Sequence, residues 1–199
     1  MLHKKNIVVF DFDGTLSKRD SNFEFGKYCL KHSLRPWGYL PIILIAYIGR
    51  WLNPAGIWWR EKMRSFVTPK MIEKFASEFI REHKKLRFDW AKSVVANEHA
   101  NGNMVVLISA GPDYLIPHLV SDMKIDVILT SRLKKEKPWQ YDFICWGANK
   151  VVALDTWAKE NKIIPNIVRA YSDSKSDLPI MNIAKEQVWV NRKTGVRHR

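Results

Sequence analysis

The stretch KNIVVFDFDGTL, residues 5–16, constrains the fold of this 199-residue chain more than any other. Ile7, Val8, Val9 and Phe10 make a short, β-branched, nearly continuous apolar run, the pattern of a strand buried on both faces of a parallel sheet. The run ends at Asp11 and Asp13, one residue apart, followed at once by Gly14 and Thr15. Open α/β sheets bind ligands beyond the carboxyl ends of their strands, so this strand delivers two acids to a ligand-binding edge. Two carboxylates this close repel each other unless a cation lies between them. An ordinary Asp-Gly turn is the simpler reading, and the rest of the chain has to decide between the two.

Beyond residue 100 the chain alternates strand and helix. Residues 103–109, 125–131, 166–171 and 187–191 read as strands. Pro112 to Met123, 149–161 with Asn149 as its cap, and 177–185 read as helices, while 132–147 reads as a small hairpin or loop and the basic tail RKTGVRHR as frayed. This rhythm implies a doubly wound parallel α/β sheet. A helix-only block interrupts it. Residues 20–34 have helical apolar spacing behind a cap at Asp20 or Ser21, residues 69–87 form an amphipathic helix opened by Pro69, and a further helix over 88–101 ends at Asn101-Gly102. The expected organisation is an α/β core of residues 1–16 and 89–199, with residues 17–88 inserted as a helical cap over the first strand's carboxyl end.

Residues 36–59, PWGYLPIILIAYIGRWLNPAGIWW, are the greasiest stretch. The uninterrupted part is too short to span a bilayer, Arg50 interrupts it, and Pro41 and Pro54 break a single long helix. That leaves a buried helical hairpin, or a surface that dips into a membrane interface with Trp37, Trp51, Trp58 and Trp59 beside Arg50, Arg60, Lys62 and Arg64. The net charge of +13 favours an anionic partner. Trp with Lys and Arg suits either a membrane interface or single-stranded nucleic acid. The two cysteines, Cys29 and Cys145, have no metal spacing and read as buried thiols in a reducing compartment. No secretion signal is visible, so the expected location is cytoplasmic, at most peripheral to the inner membrane face.

Four polar clusters fall where strands stop or helices start: Asp11 to Thr15, Ser109-Ala110-Gly111, Lys150, and Ser172 to Asp177. Singly, each has a bland reading as a cap, turn or surface lysine. Jointly and in this order they suit phosphoryl transfer. Asp11 is the candidate nucleophile, since a carboxylate attacking phosphorus splits one hard displacement into two. Asp13 is placed to protonate the leaving alkoxide and later to deprotonate water. A hard cation with oxygen ligands, Mg²⁺, would offset the repulsion, with Asp11 and Asp173 as side-chain ligands and Asp177 orienting the metal's waters or Lys150. Lys150 would neutralise the phosphoryl charge. The Ser109 hydroxyl and nearby backbone N–H groups would bind phosphoryl oxygens at the start of the next helix. Gly14 and Thr15, with Ala110 and Gly111, would line the substrate.

DFDGTL, LISAG, Lys150 in GANKVVAL and YSDSKSD resemble, in order, the four motifs of the haloacid dehalogenase superfamily. The resemblance spans nearly the whole chain. The second aspartate marks the phosphatase variant. By this resemblance Asp11 is the nucleophile, Asp13 the acid/base, Ser109 and Lys150 phosphate ligands, and Asp11, the Asp13 backbone carbonyl and Asp173 the Mg²⁺ ligands. A cap straight after the first motif resembles the phosphoserine-phosphatase-like subclass, in which Asp20 falls where a glutamate meets the substrate's amino group. The greasy cap and YSDSKSDLP look more like the phosphatidylglycerophosphatase C group, which implies a lipid-linked phosphate at an anionic membrane reached through residues 36–64. Lys175 replaces part of the subclass's usual Gly-Ala-Asn and would meet a second phosphate or only solvent. Phosphoserine or another small phosphometabolite is the alternative substrate, and a catalytically silent binding protein the alternative of another class. No nucleic acid is expected, and the oligomeric state is open.

Overall fold

The computed structural model describes residues 2–53 and 56–198. The strands are β1 (His3–Phe10), β2 (Met104–Pro112), β3 (Val127–Leu133), β4 (Tyr141–Phe143), β5 (Ile163–Ser172), β6 (Glu186–Val190) and β7 (Arg197–His198). They form one sheet in the order β4-β3-β2-β1-β5-β6-β7. All pairings are parallel except the two edges, β3 with β4 and β6 with β7. The chain moves outward from β1 to β2 and β3, then returns to its other side through β5 and β6. The carboxyl end of β1 is therefore the switch point of the sheet, where such folds open a crevice.

The near-continuous apolar run of β1 is buried because both sheet faces are covered. Val8 and Phe10 join one core with Val105 and Leu107 of β2, while Ile7 and Val9 join another with Val106 and Ile108. This is the two-residue alternation of a pleated strand. The first core faces α5 (Ala91–Ala100) and the inserted helices, and the second faces α7 (Asn149–Glu160) and α8 (Leu178–Met181). Phe10 and Tyr171, partners across β1 and β5, stack with ring centroids 4.3 Å apart.

Four helices are inserted between β1 and α5: α1 (Ser21–His32), α2 (Leu40–Leu52), α3 (Ile57–Lys62) and α4 (Pro69–His83). The outgoing and returning segments run side by side, with Lys18 N–H donating to Leu86 O at 2.9 Å and Phe88 N–H to Leu16 O at 3.0 Å. Asp20 caps α1 by accepting from Phe23 N–H, and Thr68 caps α4 by accepting from Met71 N–H. Phe25 and Tyr28 of α1 pack edge-on against Phe79, and Tyr28 also against Phe75. The insertion has no core of its own, since these side chains are continuous with Val8, Phe10 and Leu107 of the sheet.

Residues 36–59 depart most from a buried hairpin. Pro41 starts α2 instead of breaking it, because proline is tolerated in the first helical turn. Pro54 and the Arg50 side chain lie outside the described residues. Among the described side chains of α2 only Ala46 is fully buried, with Leu40, Ile43 and Gly49 partly so, whereas Ile48, Trp51 and Leu52 are 62%, 78% and 84% exposed. Gly49 lets the Trp58 ring of α3 approach, as a Cβ there would stand 3.0 Å from it. The cations beside this stretch also differ from expectation. Arg60 is sandwiched between the Trp59 and Trp146 rings, at 4.4 and 4.8 Å, and Arg64 is buried.

Several boundaries shift. β2 continues to Pro112, so the helix expected over 112–123 shrinks to α6 (Ile116–Leu119). β5 starts at Ile163, and the 177–185 helix becomes a tight turn over Lys175–Asp177 followed by α8. Asn149 does not cap α7, because its side-chain amide donates to Ile144 O instead. The tail is no frayed end, since Gly195 at φ 71° closes a turn and β7 pairs with β6. The part of 132–147 beyond β3 contains the β4 hairpin, as one of its two readings anticipated.

His83 is 1% exposed at the end of α4, and burial pushes its pKa down to about 4. The Ser17 hydroxyl, which donates to Arg19 O, accepts from His83 Nε2–H at 3.2 Å. The unfolded chain binds this proton near pH 6.5 and the folded chain only near 4. Its stabilisation is therefore complete above the upper value and lost as pH falls through that window. His83→Gln keeps the donor but not the titration. Its unfolding free energy, followed from pH 7 to 4.5, should fall less steeply than wild type by up to ~1.4 kcal/mol per pH unit. Parallel slopes would remove His83 from this role.

Candidate active site

β1 ends by handing Asp11 to a buried cation. Lys150 Nζ, near the start of α7, donates to Asp11 Oδ1 at 2.7 Å and to Asp177 Oδ2 at 2.8 Å. Lys150 is 2% exposed. Burial alone would lower its pKa, but the two carboxylates outweigh burial and hold it above the usual lysine value. The ammonium is thus charged, as a lysine facing phosphate must be. Burial is the main force on Asp11 and raises it to about 7, against the opposing pull of Lys150. Its other oxygen accepts from the Thr15 hydroxyl at 3.0 Å.

Thr15 also ties the first cluster to the fourth, because Asp173 N–H donates to its hydroxyl at 3.0 Å. This brings Asp173, just past β5, alongside Asp11. Gly14 makes the approach feasible. Its φ is 90°, and a Cβ there would lie 2.5 Å from Asp173 Cγ, so glycine is required by backbone and by space together.

Asp13 turns the other way. Ser21 N–H donates to its Oδ1 at 2.8 Å and the Ser21 hydroxyl to its Oδ2 at 3.0 Å, so its carboxylate is held by the start of α1. Burial first, then Asp20, pushes its pKa well above its ordinary value, while the two Ser21 donors oppose that shift.

Ser109 is fully buried in β2, and its hydroxyl accepts from Gly111 N–H at 3.0 Å. The expected helix N-terminus is not beside it, because α6 begins only at Ile116. The donor nearest the Ser109 hydroxyl, Gly111 N–H, is turned onto it instead of into the crevice. Ala110 contributes its carbonyl to the Ser131 hydroxyl, which in turn accepts from Cys145 N–H. Asp177 Oδ2 accepts from Lys150 and from the Ser172 hydroxyl, the latter at 2.7 Å, the arrangement of a residue that orients Lys150. Asp20 is exposed and engaged as the α1 cap. Lys175 is exposed and lines a cavity of about 520 Å³ with Asp173, Leu178, Trp189, Asn191 and His198.

Among the described residues, no three acidic, histidine or cysteine side chains form a metal cage on their own. The oxygens that could hold a metal are the Asp11 and Asp173 carboxylates with the Asp13 carbonyl, an all-oxygen set that would suit a hard cation keeping several waters. That a cation belongs there is supported by Arg192, whose Nε stands 3.1 Å from Asp173 Oδ2 and whose Nη2 donates to Asp13 O at 3.4 Å.

The surroundings of two arginines escaped the sequence reading. One is Arg192. The other is Arg64, between α3 and α4, which is 6% exposed with no hydrogen-bond partner for any guanidinium nitrogen among the described residues. It lies 4.3 Å from the Tyr141 ring centroid, and the nearby Tyr114 hydroxyl, buried just past the Ser109 segment, is also unpartnered. The only signal in the sequence was an arginine in the cap, which read as a surface cation.

Residues 8–182 match the haloacid dehalogenase-like hydrolase family. A histidinol-phosphatase of Neisseria meningitidis serogroup C (strain 8013) is 23% identical over 209 residues, covering 94% of this chain and 90% of that protein. A phosphoserine phosphatase of Lactococcus lactis subsp. lactis (strain IL1403) is 31% identical over 98 residues, 47% of this chain and 45% of its own length. Among solved structures, a phospho-aspartyl intermediate analogue of phosphoserine phosphatase shares the fold, with a TM-score of 0.67, 19% identity and coverage of 94% and 87%. With four polar clusters gathered at the carboxyl ends of a parallel sheet, the chain belongs to the haloacid dehalogenase-like hydrolases.

Proposed function

We propose that this hydrolase is a phosphomonoesterase that works through an aspartyl-phosphate on Asp11. The observation that carries this is the buried Lys150 ammonium bonded to Asp11, with the Asp13 carboxyl held nearby by Ser21. An Asp11 oxygen forms a bond to phosphorus as the ester P–O bond breaks, and Asp13 gives its proton to the departing alkoxide. Water then attacks phosphorus, Asp13 takes its proton, and Asp11 leaves as carboxylate with phosphate released. Lys150 and the Ser109 hydroxyl hold phosphoryl oxygens throughout, and Asp177 keeps Lys150 aimed. Mg²⁺ held by Asp11, Asp173 and the Asp13 carbonyl would supply charge neutralisation that keeps phosphate and carboxylates together. Asp11→Asn should lower the rate on p-nitrophenyl phosphate with Mg²⁺ by at least about 10³-fold. Asp13→Asn should cost about 10²–10⁴-fold. A variant at Asp11 as active as wild type would overturn the assignment.

The substrate we favour is a lipid-linked phosphate such as phosphatidylglycerophosphate, met at an anionic membrane surface. Its support is the solvent-facing apolar side of α2, with Leu44, Ile45, Ile48, Trp51 and Leu52 exposed together. No helix among the described residues is long and apolar enough to cross a membrane, so α2 would lie in the interface. Wild type should sediment with vesicles containing phosphatidylglycerol at low salt, and the double variant Ile45→Asp, Ile48→Asp should stay in solution. Failure of wild type to sediment would end the membrane reading.

Arg64 fits the same substrate, as an unpaired buried guanidinium calls for an anionic group. The phosphodiester one glycerol away from the scissile phosphate would supply it. Arg64→Ala should raise KM for phosphatidylglycerophosphate roughly tenfold or more, with little change for p-nitrophenyl phosphate. Equal effects on both would assign Arg64 a structural role only. The second reading, a small phosphometabolite such as phosphoserine, is favoured by the names of the relatives, and a panel of soluble phosphates beside the lipid distinguishes it. Asp20 near the mouth of the site and Lys175 beside Asp173 are the proposed contacts for the rest of either substrate.

A further inference from the structure

The oxygens assigned to the cation are already in contact with a charge that belongs to the chain. Arg192 lies in the turn after β6, and its guanidinium reaches back to two of the three assigned ligands, Asp173 and the carbonyl of Asp13. The same glycine that admits Asp173 admits this arginine, since a Cβ on Gly14 would stand 2.6 Å from Arg192 Nε. The turn is well tied down: Asn191 N–H donates to Val196 O at 2.8 Å, Gly195 N–H to Asn191 O at 2.7 Å, and Lys193 N–H to the Asn191 side chain at 3.0 Å. The Arg192 side chain itself is 52% exposed, so it can leave the site without unfolding the turn. A guanidinium and a divalent cation cannot both sit against the Asp173 oxygen and the Asp13 carbonyl, because like charges at contact distance repel.

We propose that Arg192 is a resident cation that holds the metal-binding oxygens in the metal-free chain and must swing out for the divalent ion to enter. This rests on the reading of Asp11, Asp13 and Asp173 as the metal site. The arginine relieves the repulsion between neighbouring carboxylates while no metal is bound, and it competes with the metal when one arrives. Its removal thus has two opposite effects, a tighter metal and a weaker metal-free fold.

Calorimetric titration of EDTA-treated protein with Mn²⁺ and Mg²⁺ tests this in wild type, Arg192→Ala, Arg192→Gln and Asp173→Asn. Both Arg192 variants should bind roughly three- to tenfold more tightly than wild type, the scale of a part-exposed ion pair. Their melting temperatures should lie below wild type without metal and converge with it at saturating metal. Unchanged or weakened affinity in both variants, with Asp173→Asn losing the metal, overturns the resident-cation proposal and leaves the metal site standing. Binding that ignores Asp173→Asn as well removes the metal site and the proposal together.

Discussion

One buried charge organises this molecule. The Lys150 ammonium lies out of water between Asp11 and Asp177, at the junction of β1, α7 and the turn after β5. Taking a cation into a protein interior is costly unless its partners meet it closely, and breaking such a pair by removing one partner leaves an uncompensated charge, at about 3–5 kcal/mol. Three separate segments must therefore agree in position to within a hydrogen-bond length. Ser172 reinforces the arrangement from β5, Thr15 from the loop after β1. The strand order places all of these at one switch point, so the sheet topology and the charge cluster are two views of the same constraint.

The insertion is built onto this frame. It leaves and returns through adjacent segments and packs Phe25, Phe75 and Phe79 into the core that Phe10 begins. Its farthest part, α2, lies with most of its apolar side chains in solvent. A helix of this composition gains little from the few side chains it buries, and the chain's own packing does not account for its apolar sequence. Glu61 anchors α3 to the sheet edge by accepting from Tyr141 N–H.

Much of this was legible in the residues. The apolar run of β1, the alternation of strands and helices, the Asp20 cap and the Pro69 start are local patterns, and local patterns are what a sequence displays directly. Asp11, Lys150 and Asp173, joined through hydrogen bonds of Lys150 and Thr15, were legible as candidates because each falls at the end of a recognisable element. What escaped is non-local. Whether α2 is covered depends on neighbours many residues away. The β2 extension to Pro112 comes from pairing of Pro112 with Ser131 across the sheet, which overrides the turn character of Ala110-Gly111-Pro112. Arg64 and Arg192 look like members of a basic surface in a chain with this much positive charge, and only their surroundings separate them from it. The tail read as frayed because Gly195 signals a turn only once β6 is there to receive the returning strand.

The hold on Asp13 has a mechanical consequence. The turn after β1 carries its backbone, but Ser21, at the first turn of the insertion, holds its carboxylate. On the proposed mechanism, the nucleophile is mounted on the sheet and the proton donor on the cap. Any tilt of α1 relative to the sheet changes the distance between them, whatever moves the cap. Ser21 is the point at which a movement of α1 would meet the chemistry.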